Sequence, residues 1–145
     1  MDIGKLRRTR DDSVAGALRM ALGALFLLTG VMKLAVPMLA DAFSGQLLAA
    51  GIPLTGLMRW VEPFVEIAAG LALMIGAFTR IAALVVICLM AVAAYVHVVV
   101  SDPAMFPLQP DEPVVPLAVI LMAGYLVWRG GGRGSVDLRD VPPRS

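Results

Sequence analysis

Glu62 and Glu66 lie four residues apart in the segment VEPFVEIAAG, at the head of a long apolar run. A helix places residues at this spacing on one face. Carboxylates are costly in an apolar environment unless they are paired, so a basic partner is expected close by. Lys33 is the candidate partner of Glu66, and Arg59 is the candidate partner of Glu62. Such a pair is either part of a functional site or an architectural ion pair that only sets helix register.

His97 is the remaining ionisable group of interest within an apolar run. A single histidine near a helix end is commonly an interfacial or hydrogen-bonded residue. It cannot supply a bis-histidine haem site, and with Glu62 and Glu66 it makes an incomplete metal site, so no metal is expected. A quinone headgroup needs only one or two donors and an apolar slot for its tail, which Lys33, His97 and nearby Met and Ala residues can provide. Quinone is therefore the cofactor class that fits, and no covalently bound cofactor is expected.

Composition identifies the class of protein. Hydrophobic residues make up 59% of the chain and charged residues 16%, and the mean hydropathy is +0.86. Soluble domains hold roughly 45–50% apolar and about 25% charged residues, so this is a membrane protein in contact with the lipid bilayer. A net charge of +1 gives no reason to expect nucleic acid. The single Cys88 excludes an internal disulfide, a CxxC redox pair and a cysteine-based zinc site.

Four apolar runs each approach the roughly 20 residues that a helix needs to cross a hydrocarbon core about 30 Å thick. Segments in lipid must be helical, because every backbone amide needs an internal partner. The sequence therefore predicts an all-α fold: an integral membrane four-helix bundle with antiparallel, up-down-up-down helices. The runs cover residues 14–34, 57–78, 81–100 and 114–128.

The segments between the runs differ in predicted structure. Thr79 and Arg80 leave almost no loop between the second and third runs, which indicates a tight hairpin. Residues 36–56 contain prolines and glycines that interrupt a continuous helix, with AFSGQLLAAG as a short interfacial helix. Residues 101–116 are predicted to form an ordered turn or loop. The acidic, proline-marked residues 111–113 indicate the start of the last helix.

Basic residues beside the runs fall mostly on one side of the predicted membrane, so both termini are expected in the cytoplasm. Arg19 and Arg80 mark the cytoplasmic face, whereas Lys33 and Arg59 lie toward the other side. An alternative is a cleaved signal peptide ending near residues 40–42, but Lys33 interrupts its apolar stretch. The basic residues on the cytoplasmic side are Lys5, Arg7, Arg8, Arg10, Arg19, Arg80, Arg129, Arg133, Arg139 and Arg144.

The depth of each polar residue follows from the rise of about 1.5 Å per helical residue. Lys33 lies fourteen residues after Arg19, and Glu66 lies fourteen residues before Arg80. Both therefore sit about 21 Å from the cytoplasmic face, whereas His97 lies at about 25 Å and Glu62 at about 27 Å. The sequence predicts that these four residues form a polar cluster in the outer half of the membrane. In it, Glu66 pairs with Lys33 while Glu62 stays near the interface.

Several motifs, taken in their order along the chain, resemble those of the DoxX family of small bacterial four-helix membrane proteins. They are LRMALGALFLLTGVMKL, the turn Gly51-Ile52-Pro53, the glutamate of VEIAAGLALMIGAFTRIAAL and a histidine late in the third span. The resemblance runs from about residue 18 to residue 127. The family pattern maps onto Arg19, Gly30, Lys33, Gly51, Glu66, Gly76, Arg80 and His97.

This resemblance implies a multi-pass protein of the bacterial cytoplasmic (inner) membrane. Some members are similar to the membrane subunit of thiosulfate:quinone oxidoreductase, and some are associated with oxidative-stress or thiol-handling complexes. The chain then divides into a basic cytoplasmic segment (1–13), a DoxX-like four-transmembrane-helix domain (14–128) and a flexible cytoplasmic tail (129–145).

Two functions stay open. In the first, the protein is a redox-linked subunit that passes electrons from a membrane-associated redox protein to a quinone. In the second, it is a non-catalytic scaffold or assembly subunit whose ion pair is architectural. Proton or solute transport is disfavoured by the lack of polar residues in the inner half of the membrane. A ladder of small residues, Ala68, Ala72 and Gly76, suggests a homo-oligomer.

Overall fold

The computed structural model describes residues 9–100 and 113–139, so residues 101–112 of the loop predicted over 101–116 lie outside the described part, while its last three residues are already helical. Within the described residues the chain forms six helices and no strand, which confirms the prediction of an all-α fold. Each apolar run forms one helix, and two further helices lie between or after them. The helices are α1 (Ser13–Ala35), α2 (Pro37–Ala49), α3 (Thr55–Ile75), α4 (Thr79–Val99), α5 (Val114–Arg129) and α6 (Val136–Arg139).

The helices differ in how well they suit a bilayer. With 23 and 21 residues, α1 and α4 are long and apolar enough to cross a membrane. The third helix also has 21 residues, but it carries Arg59, Glu62 and Glu66, and α5 has only 16 residues. By length and composition alone, the described residues therefore contain two candidate membrane spans.

Glycines allow α1 and α3 to approach each other closely. A β-carbon on Gly70 of α3 would lie 2.6 Å from a backbone nitrogen of α1, and one on Gly23 would lie 2.9 Å from Met74. Small residues at such contacts are typical of helix packing in membranes. Gly23 faces the C-terminal part of α3, whereas Gly30 faces Pro63 in its N-terminal part. The two helices therefore run in opposite directions.

The apolar core is formed by side chains from α1, α3, α4 and α5. Other large apolar side chains remain exposed on the same helices, as expected for helices that are hydrophobic all round and meet lipid. The largest buried apolar side chains of the core are Leu22, Phe26, Leu73, Val86 and Leu126.

The turn between α3 and α4 consists of Gly76, Ala77 and Phe78. Gly76 ends α3 with a φ of 74°, a left-handed conformation that glycine adopts without strain. Phe78, with a φ of 51°, precedes α4. The predicted hairpin is therefore present, but it lies just before Thr79 and Arg80, which are already the first residues of α4.

Of the three small residues predicted to support a homo-oligomer, Ala68, Ala72 and Gly76, the last is covered by the same chain. Gly76 is buried, and a β-carbon there would lie 2.5 Å from Ser135 of the same chain. Ala68 is exposed and Ala72 is half-buried. Gly76 is thus closed to a second copy, and the oligomer remains a prediction that rests on Ala68 and Ala72.

The second helix is longer than the short interfacial helix predicted from AFSGQLLAAG. It begins at Pro37, whose restricted φ suits the first turn of a helix. The prediction that Gly45 interrupts a continuous helix is wrong, since α2 is continuous through it from Pro37 to Ala49. Just beyond the helix, Ala50 packs with Val96 and Val100 at the end of α4.

The C-terminal segment is folded against the ends of the long helices. The Asp137 carboxylate accepts hydrogen bonds from the backbone N–H groups of Phe78, at 3.0 Å, and Thr79, at 2.9 Å. It therefore caps the start of α4, where no local side chain does so. The prediction of a flexible tail is wrong for residues 130–139, because this contact and the burial of the segment hold it in place. Residues 140–145 lie outside the described part.

Candidate functional site

Lys33 lies at the centre of a group of side chains from three helices. Its Nζ atom donates hydrogen bonds to Oε1 and Oε2 of Glu62, at 2.8 and 3.0 Å, and to Oε1 of Glu66, at 3.0 Å. The same ammonium lies 4.4 Å from the centre of the Phe43 ring, whose face attracts a cation. We call these four residues the Lys33 cluster. It ties α1 to both α2 and α3.

Helix geometry explains how the cluster forms. Glu62 and Glu66 lie one turn apart and therefore share a face of α3. Gly30 precedes Lys33 by three residues and lies on the same face of α1. A β-carbon on Gly30 would lie 3.1 Å from Cβ of Glu66, so the two helices are close at this level. The lysine side chain then reaches both carboxylates within the interface between α1 and α3.

Glu66 is the most deeply buried charged member of the cluster. Its side chain is 3% exposed, against 21% for Lys33 and 17% for Glu62. Within the described part of the chain, Oε2 of Glu66 is buried and has no hydrogen-bond partner. Burying a polar atom without a partner costs stability, so a further hydrogen-bonding group would be favourable here. One ammonium also faces two carboxylates, which leaves one acidic group in excess.

The structure agrees with one predicted ion pair and contradicts the other. Lys33 and Glu66 form the expected pair. The prediction that Glu62 pairs with Arg59 is wrong, because a lysine side chain is long enough to reach carboxylates one turn apart. The position of Glu62 near the interface remains a prediction. Arg59 instead lies 3.4 Å from Asp41, which α2 brings within reach.

The structure places His97 near the end of α4. Its Nδ1 atom lies 2.9 Å from the carbonyl oxygen of Ala93, one turn earlier on the same helix. This is the hydrogen-bonded arrangement that sequence reasoning offered as the alternative to a ligand. A shared role of His97 and Lys33 in one site remains a prediction.

Arg19, predicted to mark the cytoplasmic face, is buried and bridges several elements. Its Nε donates to the Gly131 carbonyl at 2.9 Å, and its Nη1 donates to the carbonyls of Leu73 and Met74, both at 2.6 Å. The last two lie at the end of α3, where carbonyls lack partners within the helix. The second face marker, Arg80, is at the same end and donates to a carbonyl of α5 at 3.1 Å.

Asp12 connects the start of α1 to the end of α5. Its Oδ1 accepts hydrogen bonds from the backbone of Val14 and Ala15, at 2.9 and 3.1 Å, as an N-cap does. Its Oδ2 accepts from the Tyr125 hydroxyl at 2.9 Å and from Nε of Arg129 at 2.6 Å. The backbone N–H of Ala15, followed by these two side chains, lowers the pKa of Asp12 from 3.8 to about 2, although burial acts in the opposite direction.

Sequence reasoning did not identify Phe43, Asp12 or Asp137 as residues that position other groups. A signal for Asp12 was available, because an aspartate directly before an apolar run is a typical N-cap. No comparable local signal marks Phe43 or Asp137, whose partners lie on other elements of the fold.

The helical fold, the two candidate spans and the charged cluster between apolar helices fit an α-helical membrane protein. Residues 15–99 match the DoxX family model, and the chain belongs to the DoxX family. This confirms the resemblance seen in the sequence. The match begins at Ala15 in α1, continues through α4 with the charged members of the Lys33 cluster, and ends before α5. No curated protein and no solved structure matches the chain significantly.

Proposed function

We propose that the Lys33 cluster binds the headgroup of a quinone, and that the protein is a redox-linked membrane subunit. It would pass electrons from a membrane-associated partner protein to that quinone. One observation carries the proposal: the partly exposed Lys33 ammonium lies beside the buried, unpartnered Oε2 of Glu66. A quinone headgroup carries oxygens that an ammonium and a carboxyl group can bind. The apolar surfaces of the helices suit its hydrophobic tail.

The three charged residues of the cluster and His97 each have a distinct role in this proposal. A bound quinone supplies the capacity to take up two electrons and two protons. Lys33 exchanges its hydrogen bond to Oε1 of Glu66 for one to an oxygen of the headgroup, while Glu66 holds or releases a proton at Oε2. Glu62 keeps the lysine oriented through its two hydrogen bonds. His97 is assigned to the outer edge of the site.

The electrons come from a partner protein in this proposal, because the chain itself offers no thiol pair. Cys88 is the only cysteine and cannot form an internal disulfide. Direct disulfide exchange of the kind used by quinone-linked thiol oxidases is therefore disfavoured. The partner remains defined only by its chemistry, as an electron donor that docks at the membrane.

The proposed topology has four crossings, formed by α1, α3, α4 and α5 in antiparallel, up-down-up-down order. Both termini lie in the cytoplasm, and the protein is a multi-pass component of the bacterial inner membrane. The opposite directions of α1 and α3 and the short turn between α3 and α4 support this arrangement. Reporter fusions at Ser145 and within residues 101–111 test it. A periplasmic signal from the Ser145 fusion would exclude the proposed orientation.

Quinone binding can be tested on the full-length protein purified from its native membrane. We expect mass spectrometry to detect co-purified quinone, and the reconstituted protein to bind added quinone. The double variant Lys33→Met with Glu66→Leu should fold but retain none. Arg59→Gln, which removes an exposed ion pair, serves as the control and should retain quinone. Quinone retention by the double variant, or no binding by the wild type, would contradict the proposal.

The alternative function is a non-catalytic scaffold with an architectural ion pair. It is favoured by the fact that Lys33 is already bound to both glutamates, at a point where α1 and α3 are close. Replacing a buried ion pair by apolar residues is often neutral for stability. The double variant of Lys33 and Glu66 therefore separates the two functions. If the protein is a scaffold, this variant should keep its cellular function. If the cluster is a quinone site, the variant should fold but lose that function.

A further inference from the structure

Exposed arginines collect at the end of the molecule where α1 and α4 begin and where α3 and α5 end. Arg10, Arg133 and Arg139 are exposed there, and we call them the arginine rim. Backbone hydrogen bonds fix the positions of the segments that carry Arg10 and Arg133. The N–H of Arg10 donates to the Arg129 carbonyl, and the N–H of Arg133 donates to the Asp12 carbonyl. Arg139 is the last residue of α6, which caps the start of α4.

The carboxylates beside the rim are turned into the protein. Both oxygens of Asp12 bind groups of α1 and α5. Both oxygens of Asp137 bind the backbone at the start of α4, and its side chain is buried. Asp11 is the exposed acidic residue next to this region. Among the described residues at this end, three exposed arginines therefore face one exposed carboxylate, and the surface is positively charged.

Trp128 indicates where the bilayer surface lies relative to the rim. Its side chain is 67% exposed, and the guanidinium of Arg129 lies 5.3 Å from its ring centre. Exposed tryptophans of membrane proteins are enriched at the level of the lipid headgroups. Arg133 and Arg139 follow Trp128 beyond the end of α5. The rim therefore lies at the level where lipid phosphates are found.

We infer that the arginine rim binds the phosphate groups of anionic phospholipids. Every basic side chain at this end of the described chain is an arginine. The planar guanidinium group presents several N–H donors in a fork that matches phosphate oxygens, which an ammonium does not. A basic residue near an anionic membrane surface gains about 1 kcal/mol, which corresponds to about fivefold in affinity.

Lipid binding at the rim is independent of the Lys33 cluster, which lies at the other end of α1. The rim side chains can also be changed without removing the hydrogen bonds that hold this end together. Arg10 and Arg133 contribute their backbone N–H groups to those bonds, and substitution leaves these in place. The variants should therefore remain folded.

The test uses the full-length protein in nanodiscs made from phosphatidylcholine with a minor fraction of phosphatidylglycerol. Native mass spectrometry then measures the phosphatidylglycerol that stays bound relative to phosphatidylcholine. We expect the wild type to be enriched in phosphatidylglycerol, and the enrichment to fall as salt screens the exposed charges. In the triple variant Arg10→Gln, Arg133→Gln and Arg139→Gln, the enrichment in phosphatidylglycerol should fall by about fivefold for each arginine removed. Arg59→Gln, at the opposite end, should match the wild type.

Two results would overturn the inference. The first is a wild type with no preference for phosphatidylglycerol, and the second is a triple variant with an unchanged preference. If, beside that unchanged preference, the triple variant no longer retains an acidic protein that co-purifies with the wild type, the arginine rim is a protein interface instead.

Discussion

A β-carbon on Gly30 of α1 would lie only 2.8 Å from the carbonyl oxygen of Pro63 in α3. The absence of a side chain at Gly30 therefore sets how closely the two helices approach. Lys33 follows on the same face of α1, less than one turn later. Its ammonium then reaches the carboxylates of Glu62 and Glu66. A close contact between a glycine and a backbone carbonyl thus brings α1 and α3 together beside the charged cluster.

We expect Gly70→Ala to destabilise the protein, because the added β-carbon would lie 2.6 Å from the backbone nitrogen of Leu27 and force α1 and α3 apart. Overpacking of this kind typically costs about 1–3 kcal/mol. Gly124→Ala is the matched control, since beyond the adjacent backbone of its own helix nothing lies within 4 Å of the added β-carbon. Thermal unfolding of the purified proteins in detergent measures both effects. Equal unfolding temperatures for the two variants would contradict the proposed close packing.

We expect Lys33→Met to leave Glu62 and Glu66 without their counter-charge. The loss of one partner from a fully buried pair costs roughly 3–5 kcal/mol, and less where water reaches it. Glu66→Leu introduced together with Lys33→Met should recover part of this loss, because the more deeply buried of the two uncompensated carboxylates is then gone while Glu62 remains. The unfolding temperatures of the single and double variants measure the recovery. A double variant no more stable than Lys33→Met alone would show that the two residues are not coupled.

Glu66→Gln should destabilise the protein more than Glu62→Gln. The Glu66 side chain is 3% exposed and that of Glu62 is 17% exposed, so water compensates the loss of charge less well at Glu66. Thermal unfolding in detergent compares the two variants under the same conditions. An equal effect of both substitutions would mean that the difference in burial has no energetic consequence.

The carboxylate of Asp12 should stabilise the protein in a pH-dependent way. Its pKa in the folded protein is about 2, below the ordinary value of 3.8. Because the folded-state pKa is lowered, this contribution is present above pH 3.8 and is lost as the pH falls through about 2. The difference in unfolding temperature between wild type and Asp12→Asn should therefore narrow over this range. A difference that stays constant or widens toward low pH would contradict the assignment.

Asp137→Ala should destabilise the junction between α3 and α4. It leaves the backbone N–H groups of Phe78 and Thr79 without the carboxylate that binds them, and a buried unsatisfied group costs about 1–3 kcal/mol. Asp41→Ala removes an aspartate from an exposed ion pair and should change stability little. Thermal unfolding compares the two variants. If Asp137→Ala proves as mild as Asp41→Ala, the C-terminal segment does not stabilise this end of the protein.

Sequence reasoning placed the four long helices close to their observed bounds. Hydrophobic length is a local property, so the helix predicted over residues 81–100 and the observed α4, Thr79–Val99, differ by two residues or fewer at each end. The pairing of Lys33 with Glu66 was also predictable, because helical rise converts distance along the chain into depth in the membrane. Glu62 was assigned the wrong partner, because depth alone does not account for the reach of a lysine side chain.

The sequence by itself determined the helical membrane class and the family, and it predicted the pairing of Lys33 with Glu66, because composition, apolar run length and motif order follow from the chain alone. Only the tertiary structure decided which groups contact one another. Arg19 binds a carbonyl 54 residues away, and Asp12 binds Arg129 from 117 residues away. The local sequence of the glycine-rich segment after α5 predicts a flexible tail. The segment is ordered because its partners are helix ends, which come together only when the helices have packed.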